Sequence, residues 1–276
     1  AKILDKMDNP VSDVQVIHVS GTNGKGSTCY MINSILCEMG YKVGLFTSPQ
    51  ITTIYELIKI NGVEITELEF EGCKNKLRQV LNELNLNLEN DLSYFEMVFL
   101  IAMIHFKNKD VNVLILECGL GGELDATNAV SKIDYTIFTK IGIDHKNILG
   151  NTIEEICRTK SKIIRKQSNV IIAPNQRNVV YEILEKEAKN KNLKFIFSNI
   201  RDDIFSHIVD LARYVVCRIY DRDIFVRDVI YRRDRLVYHI YRTGLLFYIF
   251  AHIVDALSQH VCVSFDFAEA LLRAFG

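Results

Sequence analysis

The residues with the clearest chemical potential form the stretch V-I-H-V-S-G-T-N-G-K-G-S-T, which runs from Val16 to Thr28. Its apolar start predicts a buried strand and its end predicts a helix, with a loop of three glycines between them. Glycines let backbone N–H groups approach an anion closely, and a helix N-terminus adds partial positive charge. We therefore predict that this segment, the phosphate loop (residues 21–28), binds a nucleoside triphosphate and is not merely a glycine-rich turn.

Individual roles follow from the residue types in the phosphate loop. Lys25 is expected to reach the outer phosphates, and the Ser27 hydroxyl is expected to ligate the Mg²⁺ that they carry. The usual G-x-x-x-x-G-K-[ST] template is not met, because Val19 stands where its first glycine belongs, and the chain has the shorter variant G-T-N-G-K-G-[ST]. The predicted nucleotide-binding residues are Thr22, Asn23, Gly24, Lys25, Gly26, Ser27 and Thr28.

Beyond the phosphate loop, three residues have side chains that could act at a metal site. Glu117 ends an apolar strand, where a carboxylate is costly unless it is paired or metal-bound, so it is either a second Mg²⁺ ligand or a cap on a neighbouring loop. His145, beside Asp144, is either a third ligand or a structural histidine. Lys160, taken alone, is typical of a helix-surface lysine.

The elements that must position these residues alternate between strand and helix. This order predicts an α/β fold with a doubly wound, mostly parallel sheet that contains a P-loop. Ligands of such sheets bind beyond the carboxyl ends of the strands, where Ser20, Glu117 and the loop of Asp144 and His145 are expected to lie. The predicted strands are Val16–Val19, Lys42–Phe46, Tyr55–Ile60, Val63–Ile65, Val111–Glu117, Tyr135–Thr139, Asn169–Ala173 and Lys194–Phe197, and the predicted helices are Ser27–Met39, Thr66–Leu84, Ser93–Phe106, one that begins at Thr152 and carries Lys160, and Arg177–Lys189.

Composition narrows the class of protein. The 276 residues are 49% hydrophobic, enough to bury a full core, and their net charge of −1 argues against binding to nucleic acid or to an anionic membrane. The seven cysteines form no C-x-x-C pair, which is typical of reduced thiols. No signal peptide precedes the first predicted strand, and the longest apolar run, Leu245–Ala251, is too short to span a bilayer. These features predict a soluble, cytoplasmic protein.

The composition changes abruptly after residue 200. Residues 201–276 contain no Lys and no Asn, whereas residues 1–200 hold 19 Lys and four Arg. We predict that residues 1–200 are the core of a P-loop ATPase domain. Residues 201–276 are predicted to be the compositionally distinct remainder of the same domain, with strands followed by helices.

Taken together, the motifs resemble the folylpolyglutamate synthase/dihydrofolate synthase family, a branch of the Mur ligase superfamily. The resemblance covers about residues 1–200, and it rests on the phosphate loop and on G-L-F-T-S-P, I-K-I-N-G, L-E-C-G-L-G-G-x-L-D-A-T-N and I-G-I-D-H. Gly26 directly after Lys25, and the L-D-A-T-N segment, are typical of the folate branch, because muramyl ligases usually carry Thr after that lysine. The implied fold is a Mur-ligase-like central ATPase domain.

The resemblance implies a reaction and a set of site residues. ATP would phosphorylate a carboxylate of dihydropteroate or of a folate, and the amine of L-glutamate would then attack the acyl phosphate. By position, Ser27 and Glu117 would hold the Mg²⁺ of ATP, and Glu117 and His145 would help to hold a second Mg²⁺. Lys160 matches the family's carbamylated lysine, a metal ligand when modified. Lys25, His145 and Lys160 are the implied catalytic residues, and the implied assembly is a monomer.

Several positions depart from the family pattern and leave alternatives open. Gln50 replaces a histidine, Leu57 and Glu123 each replace an arginine, and Lys140 replaces an asparagine. Loss of positive charge should weaken recognition of an anionic folate. We also expect the family's C-terminal glutamate-binding domain to be absent from these residues. The alternatives are another amide ligase of the Mur superfamily and a nucleotide-binding remnant without catalysis.

Overall fold

The computed structural model of the chain describes residues 1–173, 175–191, 193 and 195–197. The predictions for residues 201–276 lie outside the described residues. The strands are β1 (Gln15–Ser20), β2 (Val43–Phe46), β3 (Ile58–Ile60), β4 (Val63–Glu64), β5 (Val113–Glu117), β6 (Tyr135–Phe138), β7 (Asn169–Ile172) and β8 (Phe195–Phe197). The helices are α1 (Lys2–Lys6), α2 (Lys25–Glu38), α3 (Glu67–Glu83), α4 (Tyr94–Asn108), α5 (Lys146–Leu149), α6 (Ile153–Ser161) and α7 (Asn178–Asn190).

The strands of the described residues form one sheet of eight in the order β4-β3-β2-β5-β1-β6-β7-β8. From β2 to β8 the neighbouring strands are parallel, and β3 and β4 add an antiparallel hairpin at one edge. The predicted mostly parallel sheet is therefore confirmed. Because β5 and β6 flank β1, the loops that follow these three strands meet at one edge of the sheet.

Helices cover both faces of the sheet. Val16, Phe46 and Leu114 join the core that α3 and α4 complete. Strand side chains alternate between faces, so Ile115 and Glu117 point to the opposite face, where Glu117 lies beside Gly26 of α2. This arrangement is the doubly wound architecture that the alternating sequence predicts.

Local signals set most of the helix ends. The capping boxes that begin at Thr66 and Thr152 both form, so that α3 and α6 start where the sequence predicts. Ser93 begins a third capping box, at the start of α4. The Asn61-Gly62 turn has positive φ at both residues, as the predicted hairpin requires.

The prediction of a single strand over Tyr55–Ile60 was wrong in its first half. Residues Ile54–Leu57 form a 3₁₀ helix, and β3 begins only at Ile58. The Glu56 carboxylate accepts hydrogen bonds from the backbone N–H groups of Ile51 and Thr52, which stabilises the turn before the strand. The short helix α5 was also not predicted.

Two further expectations concern cysteines and membranes. The five cysteines within the described residues (29, 37, 73, 118 and 157) are free thiols, and four of them are buried. None of the helices in this part of the chain combines the length and apolarity that crossing a bilayer requires.

Candidate functional site

The phosphate loop joins β1 to α2 through a left-handed turn. Gly24 is the N-cap residue of α2 and has φ of +86°, a conformation that side chains other than glycine adopt at a cost. The N-cap residue itself supplies no side-chain cap to this helix of 14 residues. Among the first backbone N–H groups of α2, that of Gly26 interacts with the Glu117 carboxylate. The other N–H groups at a helix start are the kind that can bind an anion.

The backbone of the phosphate loop is fixed by the segment that follows β6. The N–H groups of Thr22 and Asn23 donate to the Lys140 carbonyl at 2.8 and 3.3 Å. The Thr22 hydroxyl donates to the Gly142 carbonyl at 3.0 Å and accepts from the Gly142 N–H at 3.1 Å. At Gly21, φ is +147° and an added Cβ would lie 1.9 Å from Thr139 Oγ1, so only glycine fits.

Glu117 is buried beside the first turn of α2. Its carboxylate accepts a hydrogen bond from the Ser48 N–H at 3.0 Å, and a Cβ added to Gly26 would lie 3.4 Å from Glu117 Oε2. Burial raises the pKa of Glu117, although the Ser48 N–H, the Lys25 charge and the Gly26 N–H oppose this shift. Within the described part of the chain, this carboxylate has no ion-pair partner, which is unusual for a side chain that is only 3% exposed.

This arrangement fits a magnesium ion bound together with phosphates. Mg²⁺ usually takes one or two carboxylates, substrate phosphate oxygens and waters, and does not require a cage of protein ligands. The Glu117 carboxylate and the Ser27 hydroxyl, next in sequence to Gly26, supply suitable oxygen donors. The described residues contain no group of three or more His, Cys, Asp or Glu side chains that could hold a metal ion alone.

Lys160 lies in the site and not on the helix surface, so the interpretation of it as a surface lysine was wrong. The side chain is 3% exposed, and its Nζ donates to the Gly21 carbonyl at 2.8 Å. Burial lowers the pKa of Lys160, and the positive charge of Lys25 lowers it further, with partial opposition from Asp144 and Asp125. The two lysines predicted to be catalytic are thus electrostatically coupled across the phosphate loop.

The Lys25 side chain remains over its own loop, with Nζ 3.5 Å from the Thr22 carbonyl oxygen. His145 is the N-cap residue of α5, with 54% of its side chain exposed and Nε2 3.5 Å from Asp144 Oδ1. Its exposure excludes a buried structural histidine. Its role as a metal ligand stays a prediction.

A buried hydrogen-bond chain that sequence reasoning missed connects β1 with the loop after β5. The Thr127 hydroxyl donates to Asp125 Oδ1, so it accepts from His18 Nε2 at 2.8 Å. Asp125 Oδ2 accepts from the Leu120 N–H at 2.7 Å. The sequence feature that could have indicated these hydrogen bonds is His18, an ionisable residue in the middle of an apolar strand.

The positions that depart from the family pattern have different surroundings. Gln50 accepts a hydrogen bond from the Tyr94 hydroxyl at 2.8 Å, and Glu123 is exposed. Leu57, by contrast, is 3% exposed and belongs to the apolar core. Lys140 contributes its backbone carbonyl to the phosphate loop, a contact that any residue could make.

Comparison with known proteins identifies similar chains. The Mur ligase middle domain matches residues 19–214. The dihydrofolate synthase/folylpolyglutamate synthase of Bacillus subtilis is 37% identical over 195 residues, which is 70% of this chain and 45% of the relative. A folylpolyglutamate synthase of Arabidopsis thaliana is 37% identical over 191 residues, or 68% of this chain and 32% of the relative.

Solved structures of folate-branch ligases are also similar to this chain. The crystal structure of folylpolyglutamate synthase from Thermotoga maritima is 33% identical with a TM-score of 0.63, covering 71% of this chain and 44% of that one. The E. coli FolC complex with DHPP and ADP is 32% identical with a TM-score of 0.63, covering 71% and 45%. The chain spans less than half the length of these relatives.

Proposed function

This chain belongs to the Mur ligase family, and we propose that it is the ATPase part of a ligase that adds L-glutamate to dihydropteroate or to a folate. ATP and Mg²⁺ are the proposed nucleotide and metal. The observation that carries the proposal is the buried Glu117 carboxylate beside Gly26, at the N-terminus of α2. A buried carboxylate that has no ion-pair partner and lies beside a phosphate-binding turn can bind a cation that accompanies the phosphates.

The chain's own residues have distinct tasks in the proposed reaction. The α2 amides and Lys25 would bind the phosphates and offset their negative charge, while Ser27 and Glu117 would hold the Mg²⁺. When bound, Mg²⁺ neutralises part of the negative charge on the phosphoryl group that is transferred. The carboxylate of the pteroate or folate would receive this phosphoryl group. The L-glutamate amine would then displace phosphate, leaving an amide, ADP and phosphate.

Lys160 would supply a further metal ligand if its amine were carbamylated, as the resemblance to the folylpolyglutamate synthase family implies. The structure offers one supporting condition: burial lowers the pKa of Lys160, and the neutral amine is the form that reacts with carbon dioxide. In its unmodified form the amine donates to Gly21 and remains beside the phosphate loop. His145, which is proposed to help hold a second Mg²⁺, would have to approach it from an exposed position.

The first experiment is calorimetric titration of the folded chain with ATP in the presence of Mg²⁺. Lys25→Ala should abolish detectable binding, because this charge faces the phosphates in the proposal. Lys42→Ala is the matched control, since it removes the same charge at the opposite, amino end of β2 and should leave binding unchanged. Loss of affinity in both variants would indicate a nonspecific charge effect.

If the unmutated, folded chain binds no ATP, the proposed function fails for this chain. If it binds ATP, ligation of radiolabelled L-glutamate is assayed next with dihydropteroate and with a folate as acceptors. Turnover of an amino-sugar or peptide acceptor instead would favour another amide ligase of the same superfamily. ATP binding without ligation of any acceptor would favour a nucleotide-binding chain that lacks catalysis.

A further inference from the structure

The segment between β6 and α5 is held from two sides. The first side is the phosphate loop, through the contacts of Thr22 and Asn23 with Lys140 and Gly142 described above. The second side is Gln176, a residue that follows β7 and that is only 8% exposed. Its position at the carboxyl end of a parallel strand places it at the same edge of the sheet as the site.

The side-chain amide of Gln176 forms two hydrogen bonds to this segment. Its Oε1 accepts from the Ile141 N–H at 3.1 Å, and its Nε2 donates to the Thr139 carbonyl at 3.0 Å. A single planar group therefore fixes the backbone on both sides of Lys140. The Lys140 carbonyl between them is the acceptor for the phosphate loop.

The position of Gln176 is itself determined. Its backbone N–H donates to the Tyr181 hydroxyl at 3.3 Å, and that hydroxyl donates to the Ala173 carbonyl at 3.4 Å. These bonds link Gln176 to the end of β7 and to α7. Both polar atoms of this buried amide are paired with backbone groups, and its own backbone is anchored. Such an amide can fix the position of the backbone that it contacts.

We propose that Gln176 is a positioning residue for nucleotide binding, because its amide fixes residues 139–141 and these in turn fix the Thr22–Asn23 backbone of the phosphate loop. It does not itself contact the nucleotide. The expected effect on ATP affinity rests on the proposed function. The coupling of Gln176 to the phosphate loop does not depend on that function. This coupling can be measured without any ligand.

The test uses Gln176→Met, which keeps the length and approximate volume of the side chain but removes both hydrogen bonds. The matched control is Thr136→Val on β6. Thr136 lies on β6, the strand that leads into residues 139–141, but away from the carboxyl end of that strand. The substitution removes a buried hydroxyl that is 2.8 Å from Ser168 Oγ. Both variants remove buried hydrogen bonds and should lower the melting temperature. Only Gln176→Met should affect the phosphate loop.

The first readout is amide hydrogen exchange of Thr22 and Asn23, whose N–H groups donate to Lys140. Gln176→Met should reduce their protection by about tenfold relative to Thr136→Val, because local opening of residues 139–142 releases them. The second readout is ATP affinity, which should weaken by about tenfold in Gln176→Met and remain near the unmutated value in Thr136→Val.

A double variant shows whether the effect passes through the proposed segment. Thr22→Val removes the hydroxyl contacts with Gly142. Combining it with Gln176→Met should weaken ATP binding by less than the product of the two single effects, since both act on one segment. Multiplicative effects would mean that Gln176 acts by a different route and would overturn the proposal.

The outcomes separate this inference from the proposed function. Unchanged protection of Thr22 and Asn23 in a folded Gln176→Met chain overturns the positioning role, whatever the ATP result. If the unmutated chain binds no ATP, the proposed function fails while the exchange data still decide the coupling. If Gln176→Met does not fold, Gln176→Glu keeps an acceptor for Ile141, and the same exchange comparison is made with it.

Discussion

His18 carries the sharpest prediction for stability, because it is a fully buried ionisable side chain in the central strand. Its Nδ1 has no hydrogen-bond partner among the described residues. Burial, with a smaller contribution from the Arg165 charge, lowers the pKa of His18 from 6.5 to about 3. The folded chain therefore holds a neutral imidazole over the whole range in which the unfolded chain becomes protonated.

The direction of the effect follows from this difference. Below pH 6.5 the unfolded chain binds a proton at His18, whereas the folded chain does not until about pH 3. Stability that is fully present above pH 6.5 is therefore lost as the pH falls through this window. At about 1.36 kcal/mol per pH unit, the loss that His18 causes amounts to about 2 kcal/mol at about pH 5.

The assay is urea unfolding of the unmutated chain and of His18→Gln between about pH 7.5 and about pH 5. Glutamine keeps a donor for Thr127 but does not titrate, so the unmutated chain should lose about 2 kcal/mol relative to the variant over this range. Ile17→Val on the same strand is the control, because its loss of a buried methylene should not depend on pH. A difference between His18→Gln and the unmutated chain that stays constant with pH would refute the reasoning.

The other predictions concern glycine positions, the core and the metal. Gly21→Ala should lower the free energy of unfolding by about 3 kcal/mol, and Gly24→Ala, which has strain but no overlap, by about 1 kcal/mol, as measured by urea unfolding. Leu57→Arg should destabilise the chain by about 3 kcal/mol, whereas Glu123→Arg on the surface should change stability by less than about 0.5 kcal/mol. Glu117→Gln should reduce the Mg²⁺-dependent part of ATP affinity by about tenfold without weakening metal-free binding, because it removes a negative charge beside the phosphates, as calorimetry with and without Mg²⁺ can show.

The burial of Leu57 changes how the departures from the family pattern are interpreted. The sequence alone treats Leu57 and Glu123 alike, as two arginines lost from a site for an anionic substrate. In the structure only Glu123 lies on the surface, while Leu57 packs with Ile58 and the rest of the apolar core. A charged side chain at 57 would have to be desolvated or displaced, so restoring both arginines together would confuse a binding effect with a folding defect.

Much of the fold could be predicted because its determinants are local. Apolar runs and capping boxes fix strands and helices within a few residues of themselves, and Asn61-Gly62 fixes a hairpin turn. The phosphate loop is likewise local, since glycines, a lysine and a helix start are consecutive in sequence. The error at Tyr55–Ile60 arose where a side-chain contact from Glu56 to Ile51 and Thr52 overrode the apolar pattern.

The tertiary structure alone decided which distant residues meet. The sequence predicts that Glu117 ends a strand, but only the pairing of β5 with β1 places its carboxylate beside Gly26. Lys160 is typical of a surface lysine until α6 packs so that its Nζ reaches Gly21. Side-chain type and helix or strand propensity are properties of a short segment, whereas burial and pKa depend on charges and backbone groups supplied by other strands. The sequence by itself therefore determined the elements and the phosphate loop, and packing decided the electrostatics of the site.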